Sequence, residues 1–174
     1  MMNVLIVHES MFGNTRTIAS AVADGLHQGR SPDDGAVRLV HVDDAPTVIP
    51  ADVDLLLVGG PTHALGMTRP RTRQDALTQG ATAAGQGVRE WIQAVTPRPE
   101  LRVVTFDTRV HVTMLPGSAA NAAARALRRR GFDRAQRGES FWVQGTPGPV
   151  VAGELDRARD WGVELATRVR QGVA

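Results

Sequence analysis

With 174 residues, 42% of them apolar, and a formal charge of +2, the chain carries enough apolar surface for one sizeable core, and its length predicts one domain over residues 1–174. It contains no Cys, and all 20 Lys+Arg positions are Arg. That composition excludes disulfides, iron–sulfur clusters, thiolate nucleophiles, Schiff-base lysines and the phosphate-binding lysine of P-loop nucleotidases, so a redox role needs a borrowed cofactor.

In chain order, Val4 to Val7 is a continuous apolar run that ends at a small-residue turn. From Asn14 the spacing Ile18, Val22, Leu26 predicts a helix. The same alternation predicts strands over 36–42 and 53–60, a helix over 88–95, a strand over 101–106, a helix over 119–130, a strand over 140–143 and a helix over 154–169. Segments such as Asp54 to Val58 are apolar on both sides, as expected where helices cover both faces of a parallel sheet. These elements predict an α/β fold, three layers around a doubly wound five-stranded parallel sheet. Residues 43–52, with Pro46 and Pro50, allow only a turn or so of helix. Residues 61–87 form a connection far longer than an ordinary strand-to-helix loop, with Arg69, Arg71 and Arg73 around Pro70 and with Gly80, Gly85 and Gly87 further on. Trp91, Trp142 and Trp161 fall in helix or strand patterns and are expected in the core. Arg128 to Arg130 precede Gly131, where cations suit a helix C-terminus.

Charge is uneven along the chain. Residues 1–87 hold 6 Arg and 9 acids, and residues 88–174 hold 14 Arg and 9 acids, so one face is expected to be basic. The sequence pI of about 10.7 reflects the lack of Lys, Tyr and Cys, which leaves almost nothing to titrate between His and Arg. No nucleic-acid partner is expected on that ground. The first apolar run is too short for a membrane span and lacks a signal-like lead-in, which predicts a cytoplasmic protein with no membrane partner.

Ligands of open α/β sheets bind beyond the C-terminal strand ends. After the first strand come Ser10, Met11, Phe12, Gly13, Asn14 and Thr15, a turn with one Gly and short polar side chains that runs directly into a helix. Backbone N–H groups at a helix start, together with the Ser10 and Thr15 hydroxyls, suit a phosphate dianion. The absence of GxGxxG argues for a mononucleotide over a dinucleotide. The turn resembles the phosphate loop of the flavodoxin-like family, Ser/Thr-x-Thr-Gly-x-Thr. Ser10, Gly13, Asn14 and Thr15 match, and Phe12 replaces the middle Thr. The resemblance implies the sheet order 2-1-3-4-5 of a short-chain flavodoxin, FMN as cofactor, and two further loops flanking the ring. Those loops would be Pro61, Thr62, His63, Ala64, Leu65 and Gly66 after the third strand, and Asp107, Thr108 and Arg109 after the fourth.

With no Tyr in the chain, His63, Leu65, Met67 and Arg109 would replace the aromatic ring neighbours, and donors such as Arg109 or Arg69 would make the flavin less reducing than in acidic flavodoxins. His63 is also placed to donate a proton or position a substrate. The residues carry no metal-ligand spacing and no nucleophile elbow, and Ser118 suits a helix N-cap, so neither metal nor catalytic residues are expected. Three functions follow from the resemblance. The first is an FMN-binding redox protein exchanging electrons with a partner protein or a small-molecule donor or acceptor. The second is an FMN-dependent NAD(P)H or small-molecule oxidoreductase, with residues 68–87 as a substrate lid and Arg69, Arg71 and Arg73 gripping an anion. The third is a flavin-free module of the same fold that binds a partner.

Overall fold

A computed structural model describes residues 2–82, 85–111 and 117–172. Parts of two expectations, Ala83 and Ala84 in the 68–87 segment and Leu115 and Pro116 before Ser118, lie outside the described residues. Five strands, β1 (Val4–His8), β2 (Val37–His41), β3 (Leu55–Pro61), β4 (Arg102–Val110) and β5 (Ala135–Val143), form one sheet in the order β2-β1-β3-β4-β5. All four pairings are parallel. The helices are α1 (Asn14–Gln28), α2 (Pro70–Thr78), α3 (Val88–Ala94), α4 (Ala119–Arg130) and α5 (Glu154–Arg170), with a single 3-10 turn at Val42–Asp44. This is the doubly wound α/β architecture expected from the alternation of elements, with the strand order that the resemblance implies.

Alternation along the central strands builds two cores. Leu5, Val7, Leu56, Val58 and Val103 face one side, where Trp91, Ile92, Leu127 and Phe132 cover them. Val4, Ile6, Leu55, Leu57, Val104 and Phe106 face the other, beneath Ile18, Val22, Leu26, Trp161 and Leu165. Every residue of β1 and β3 is buried, which is why both sequences run apolar without a polar face. Each fully buried aliphatic side chain contributes roughly 1.5–3 kcal/mol. α1 and α5 pack with their backbones close together: a Cβ on Gly25 would overlap the Arg159 carbonyl oxygen, and one on Gly162 would overlap that of Val22.

Four features differ from the sequence expectation. β4 runs on through Asp107, Thr108 and Arg109, because Asp107 and Thr108 pair with Gly60 and Pro61 of β3 while their polar side chains find partners. β5 begins at Ala135, its polar start being tolerable at a sheet edge with one solvated face. Pro70–Thr78 forms a helix inside the segment expected to be irregular, with Pro70 at its first position and Thr72 bonding the Arg69 N–H at 2.8 Å. Trp91 and Trp161 are core residues, but Trp142 is half-buried at the sheet end, with the Arg109 guanidinium 5.6 Å from its ring centre and His111 edge-on at 4.7 Å.

Gly25→Ala forces α1 from α5 and is expected to cost about 1–3 kcal/mol, lowering the thermal midpoint by roughly 2–10 °C for a domain of this size. An unchanged midpoint would show that the helices separate freely.

Candidate functional site

Parallel strands deliver all their C-terminal ends to one edge of the sheet, where the loops after β1, β3, β4 and β5 converge. The β1 loop enters α1 through Gly13, whose φ of 87° is left-handed and whose Cβ direction is open space. The N-cap residue Gly13 offers no side chain, and no acid occupies the first turn. The Arg16 N–H donates to Ser10 Oγ at 3.2 Å, and the Thr17 N–H to the Gly13 carbonyl at 3.0 Å. Among the described residues no acceptor takes the N–H groups of Ser10 to Thr15. A run of donors without acceptors, at the positive end of a helix, is an arrangement that a dianion satisfies and a cation does not. The Thr15 hydroxyl bonds that of Thr108 at 2.8 Å, tying this loop to β4, and Asn14 lies directly against Gly148.

These loops enclose a pocket of about 30 Å³ lined by Ser10, Met11, Phe12, Asn14, Thr15, Pro61, Thr62, His63, Thr108, Arg109, Val143 and Thr146. The three sequence segments singled out above therefore meet. Val143 and Thr146, from the end of β5, complete the wall; nothing in their residue types signals it, since only the sheet order brings β5 there. Ala64 lines an adjoining cleft instead, and Leu65, Gly66 and Asp107 line neither.

The reason for Ala64 and Leu65 is a tight hairpin. His63 and Gly66 exchange backbone hydrogen bonds at 2.9 and 3.1 Å, and Ala64 and Leu65 between them take left-handed φ values of 45° and 70°. Two-residue hairpins need that conformation, which non-glycine residues adopt at a cost. The turn lifts Leu65 into solvent, 47% exposed, against the backbone of Gly117. Asp107 is turned away from the pocket. Its Oδ2 accepts from Thr62 Oγ1 at 2.9 Å, Ser118 Oγ at 2.6 Å and the Ala120 N–H at 3.0 Å. It thus fixes the start of α4 and the loop after β3, while Ser118 accepts from the Asn121 N–H as the expected N-cap.

Glu9, which the sequence reading passed over, is the residue that fixes the long connection. Its carboxylate is 1% exposed; Oε1 accepts from Thr68 Oγ1 at 2.5 Å and Oε2 from the Val88 N–H at 2.9 Å. Arg73 in turn donates to Thr68 Oγ1 at 2.9 Å and pairs with Glu90 at 3.2 Å. Burial pushes the Glu9 carboxyl above the usual range, and the bonds from Thr68 and Val88 oppose that. Arg73 therefore points inward, 6% exposed, and does not reach toward a substrate; Arg69 and Arg71 are exposed. The expected lid is, over its described part, a helix latched to the end of β1. The turn after α2 is tied as well, Thr82 donating through N and Oγ1 to the Met11 carbonyl at 3.1 and 3.2 Å.

At the same strand end His8 is 4% exposed. Its Nδ1 bonds the Val40 carbonyl at 2.9 Å, and its buried Nε2 has no partner among the described residues. Burial, aided by nearby His41, pulls its pKa down to about 4, so the ring is neutral near pH 7. His63, half-buried, is also shifted down by burial, with a hydrogen bond to the Thr72 backbone opposing.

A larger cavity, about 680 Å³, lies at the opposite end of the sheet, with Arg98, Arg102 and Arg170 in its wall. Those guanidinium groups donate to the carbonyls of Pro50, Val169 and Gly29. Val169 and Gly29 stand at the C-terminal ends of α5 and α1, where cations are favourable, and Pro50 lies in the loop before β3. Among the described residues no cluster of His, Asp and Glu has metal-binding geometry, and no helix is long and apolar enough to cross a membrane.

No protein-family model matches the sequence, and no curated protein does. Solved structures match the fold. A flavodoxin from the domain Archaea aligns with TM-score 0.62 and 16% identity, covering 97% of this chain and 99% of that one. Flavodoxin 2 from Bacillus cereus aligns with TM-score 0.64 and 18% identity over 95% of this chain and 99% of that one. The flavodiiron protein from Giardia intestinalis aligns with TM-score 0.59 and 18% identity over 97% of this chain but only 36% of that one. The chain has the flavodoxin-like fold; identity this low establishes the fold alone.

Two measurements probe the buried charges. Arg73→Met removes a buried partner from Thr68 and Glu90 and is expected to destabilise by about 3 kcal/mol, read by urea unfolding; a loss within a few tenths of a kcal/mol would show that the latch carries no weight. His8 has a folded pKa of about 4 against 6.5, so its contribution is complete above pH 6.5 and about 3 kcal/mol is lost as pH falls to 4. Glu9, shifted upward, acts in the opposite sense, and the test is therefore the difference between this protein and His8→Leu, whose stability should fall less between pH 7 and 4. Parallel pH curves would contradict the assignment.

Proposed function

We propose that this chain, built on the flavodoxin-like fold, binds FMN at the C-terminal strand ends and exchanges electrons with a protein or small-molecule partner. The observation that carries this reading is the uninterrupted run of amides from Ser10 to Thr15, at the start of α1, that have no acceptor among the described residues. Such donors suit the 5′-phosphate of the cofactor. Ser10 Oγ and Thr15 Oγ1 stand beside them, and Phe12 takes the place where the flavodoxin pattern has a further hydroxyl. Thr62 and His63 on one side, Thr108 and Arg109 on the other, are the groups available to flank the ring. The flavin, when bound, supplies the redox chemistry.

The chain's own part is binding, orientation and electrostatics. Among the described residues Arg109 is the one formally charged residue in the pocket wall, and no carboxylate lines it. A cation fixed in the wall favours negative charge on a bound ring, so the reduced form is held more readily than beside carboxylates. Glu9 and Asp107, the buried acids nearby, are spent on hydrogen bonds to the surrounding loops.

One observation favours a second reading, a flavin-free module of the same fold that engages a partner. The pocket between the loops is about 30 Å³, whereas pockets for cofactor-sized ligands span roughly 300–1,000 Å³. Binding a ring there requires the wall to yield, and the hairpin that follows His63, with Ala64 and Leu65 left-handed, is a strained turn beside that wall.

Calorimetry decides between the two readings. FMN is expected to bind at least about tenfold more tightly than riboflavin, since one or two charge-assisted hydrogen bonds of about 1.5–3 kcal/mol each distinguish them. Ser10→Ala is expected to weaken FMN by about tenfold and leave riboflavin nearly unchanged. Absence of heat with FMN, or equal affinity for FMN and riboflavin, overturns the flavin reading. Potentiometry of the loaded protein should give an easier final reduction than in acidic flavodoxins, and Arg109→Gln should make it harder.

A further inference from the structure

Beside the proposed cofactor pocket, and sharing Thr62, His63 and Thr146 with it, lies a second cleft of about 230 Å³. Its far wall is one face of α2: Thr72, Asp75, Ala76 and Gln79 follow the i, i+3, i+4, i+7 spacing that places side chains in a row. Its near wall is His63 and Thr146. α2 is held in place at both ends, by the Glu9–Thr68–Arg73–Glu90 latch before and within it and by Thr82 on Met11 after it. The cleft is therefore a formed feature of the fold.

Size and charge restrict what fits. At about 30 Å³ per water, the cleft has room for about eight water molecules, the scale of one substituted six-membered ring and well short of a nucleotide. Among the described residues its only formal charge is the Asp75 carboxylate. No arginine lines it: Arg73 is turned into the latch, and Arg69 and Arg71 lie outside. The other polar groups are hydroxyls, an amide and the half-buried imidazole of His63, which offer donors and acceptors but no cation.

We propose that this cleft is the subsite for a small-molecule redox partner, a single-ring, hydrogen-bonding compound that is uncharged or cationic, with Asp75 discriminating against anions. The inference deepens the flavin reading and, as a redox subsite, rests on it. It replaces the arginine-gripped anion expected from the 68–87 sequence with the opposite charge preference.

The test uses three matched probes on the isotopically labelled full-length protein, with and without FMN: nicotinamide, its cation 1-methylnicotinamide and its anion nicotinate. Backbone amide shifts are expected at His63, Thr72, Asp75 and Gln79, with affinity in the order cation, neutral, anion. A charge about 4 Å away in a water-exposed setting is worth about fivefold at each step. Asp75→Asn should bring the cation to the affinity of the neutral probe without abolishing either. Nicotinate binding as tightly as the cation, shifts confined to other regions, or no shift at saturating probe overturns the proposal. Displacement of the probes by FMN also overturns it, because the cleft would then belong to the cofactor's own pocket. FMN calorimetry on the same samples keeps the two readings apart: FMN heat without probe binding defeats only the subsite, and probe binding without FMN heat defeats only the flavin reading.

Discussion

Parallel alignment of the strands constrains everything else in this molecule. Because β1 to β5 all point the same way, each C-terminal end opens at one edge of the sheet, and each connection must leave from that edge and return to the other. From β1 the chain goes first to β2 on one side and later builds β3, β4 and β5 on the other. The loops therefore diverge around the end of β1, and a crevice is left where they part. The two edges have opposite chemistry for the same reason. Helix starts, with their unpaired N–H groups, gather beside the Ser10–Thr15 loop, whereas helix ends, with their unpaired carbonyls, gather at the opposite edge and collect arginines such as Arg102 and Arg170.

Two buried carboxylates turn that crevice into a defined shape. Moving an ionised carboxylate out of water costs several kcal/mol, and hydrogen bonds to a charged group return about 1.5–3 kcal/mol each. Two or three well-placed donors are thus needed to offset burial. Asp107 has three on one oxygen, from Thr62, Ser118 and Ala120. Glu9 has two, from Thr68 and Val88. Every one of those donors belongs to a connection rather than to a strand core, so satisfying the carboxylate and placing the loop are one event. The pocket wall is held from behind, and among the described residues the Ser10–Thr15 amides have no acceptor.

The order of elements was legible because the apolar pattern changes period where the structure does: Val4 to Val7 is continuous, and Ile18, Val22 and Leu26 are spaced by four. The phosphate-loop candidate was legible because Gly13 and short polar residues sit directly between those two periods. Less visible was the continuation of β4 through Asp107 to Arg109, since polar residues resemble a loop until their side-chain partners are known. α2 was hidden behind Arg69, Pro70 and the following glycines, a composition that resembles irregular chain, although Pro70 at the first helical position favours a helix.

Local sequence determined what depends on nearest neighbours: which stretches are strand or helix, that no covalent or lysine chemistry is available, and that one turn carries a helix-start donor array. The tertiary structure alone decided which way Arg73 and Asp107 point, that Trp142 leaves the core for the sheet end beside Arg109, and that Val143 and Thr146 close the pocket. Those outcomes hang on residues of different elements meeting in space, as Glu9 meets Thr68 and Val88 and as Thr15 meets Thr108. Hydrophobic periodicity reports whether a side chain is buried; it holds no record of which distant donor it is buried against.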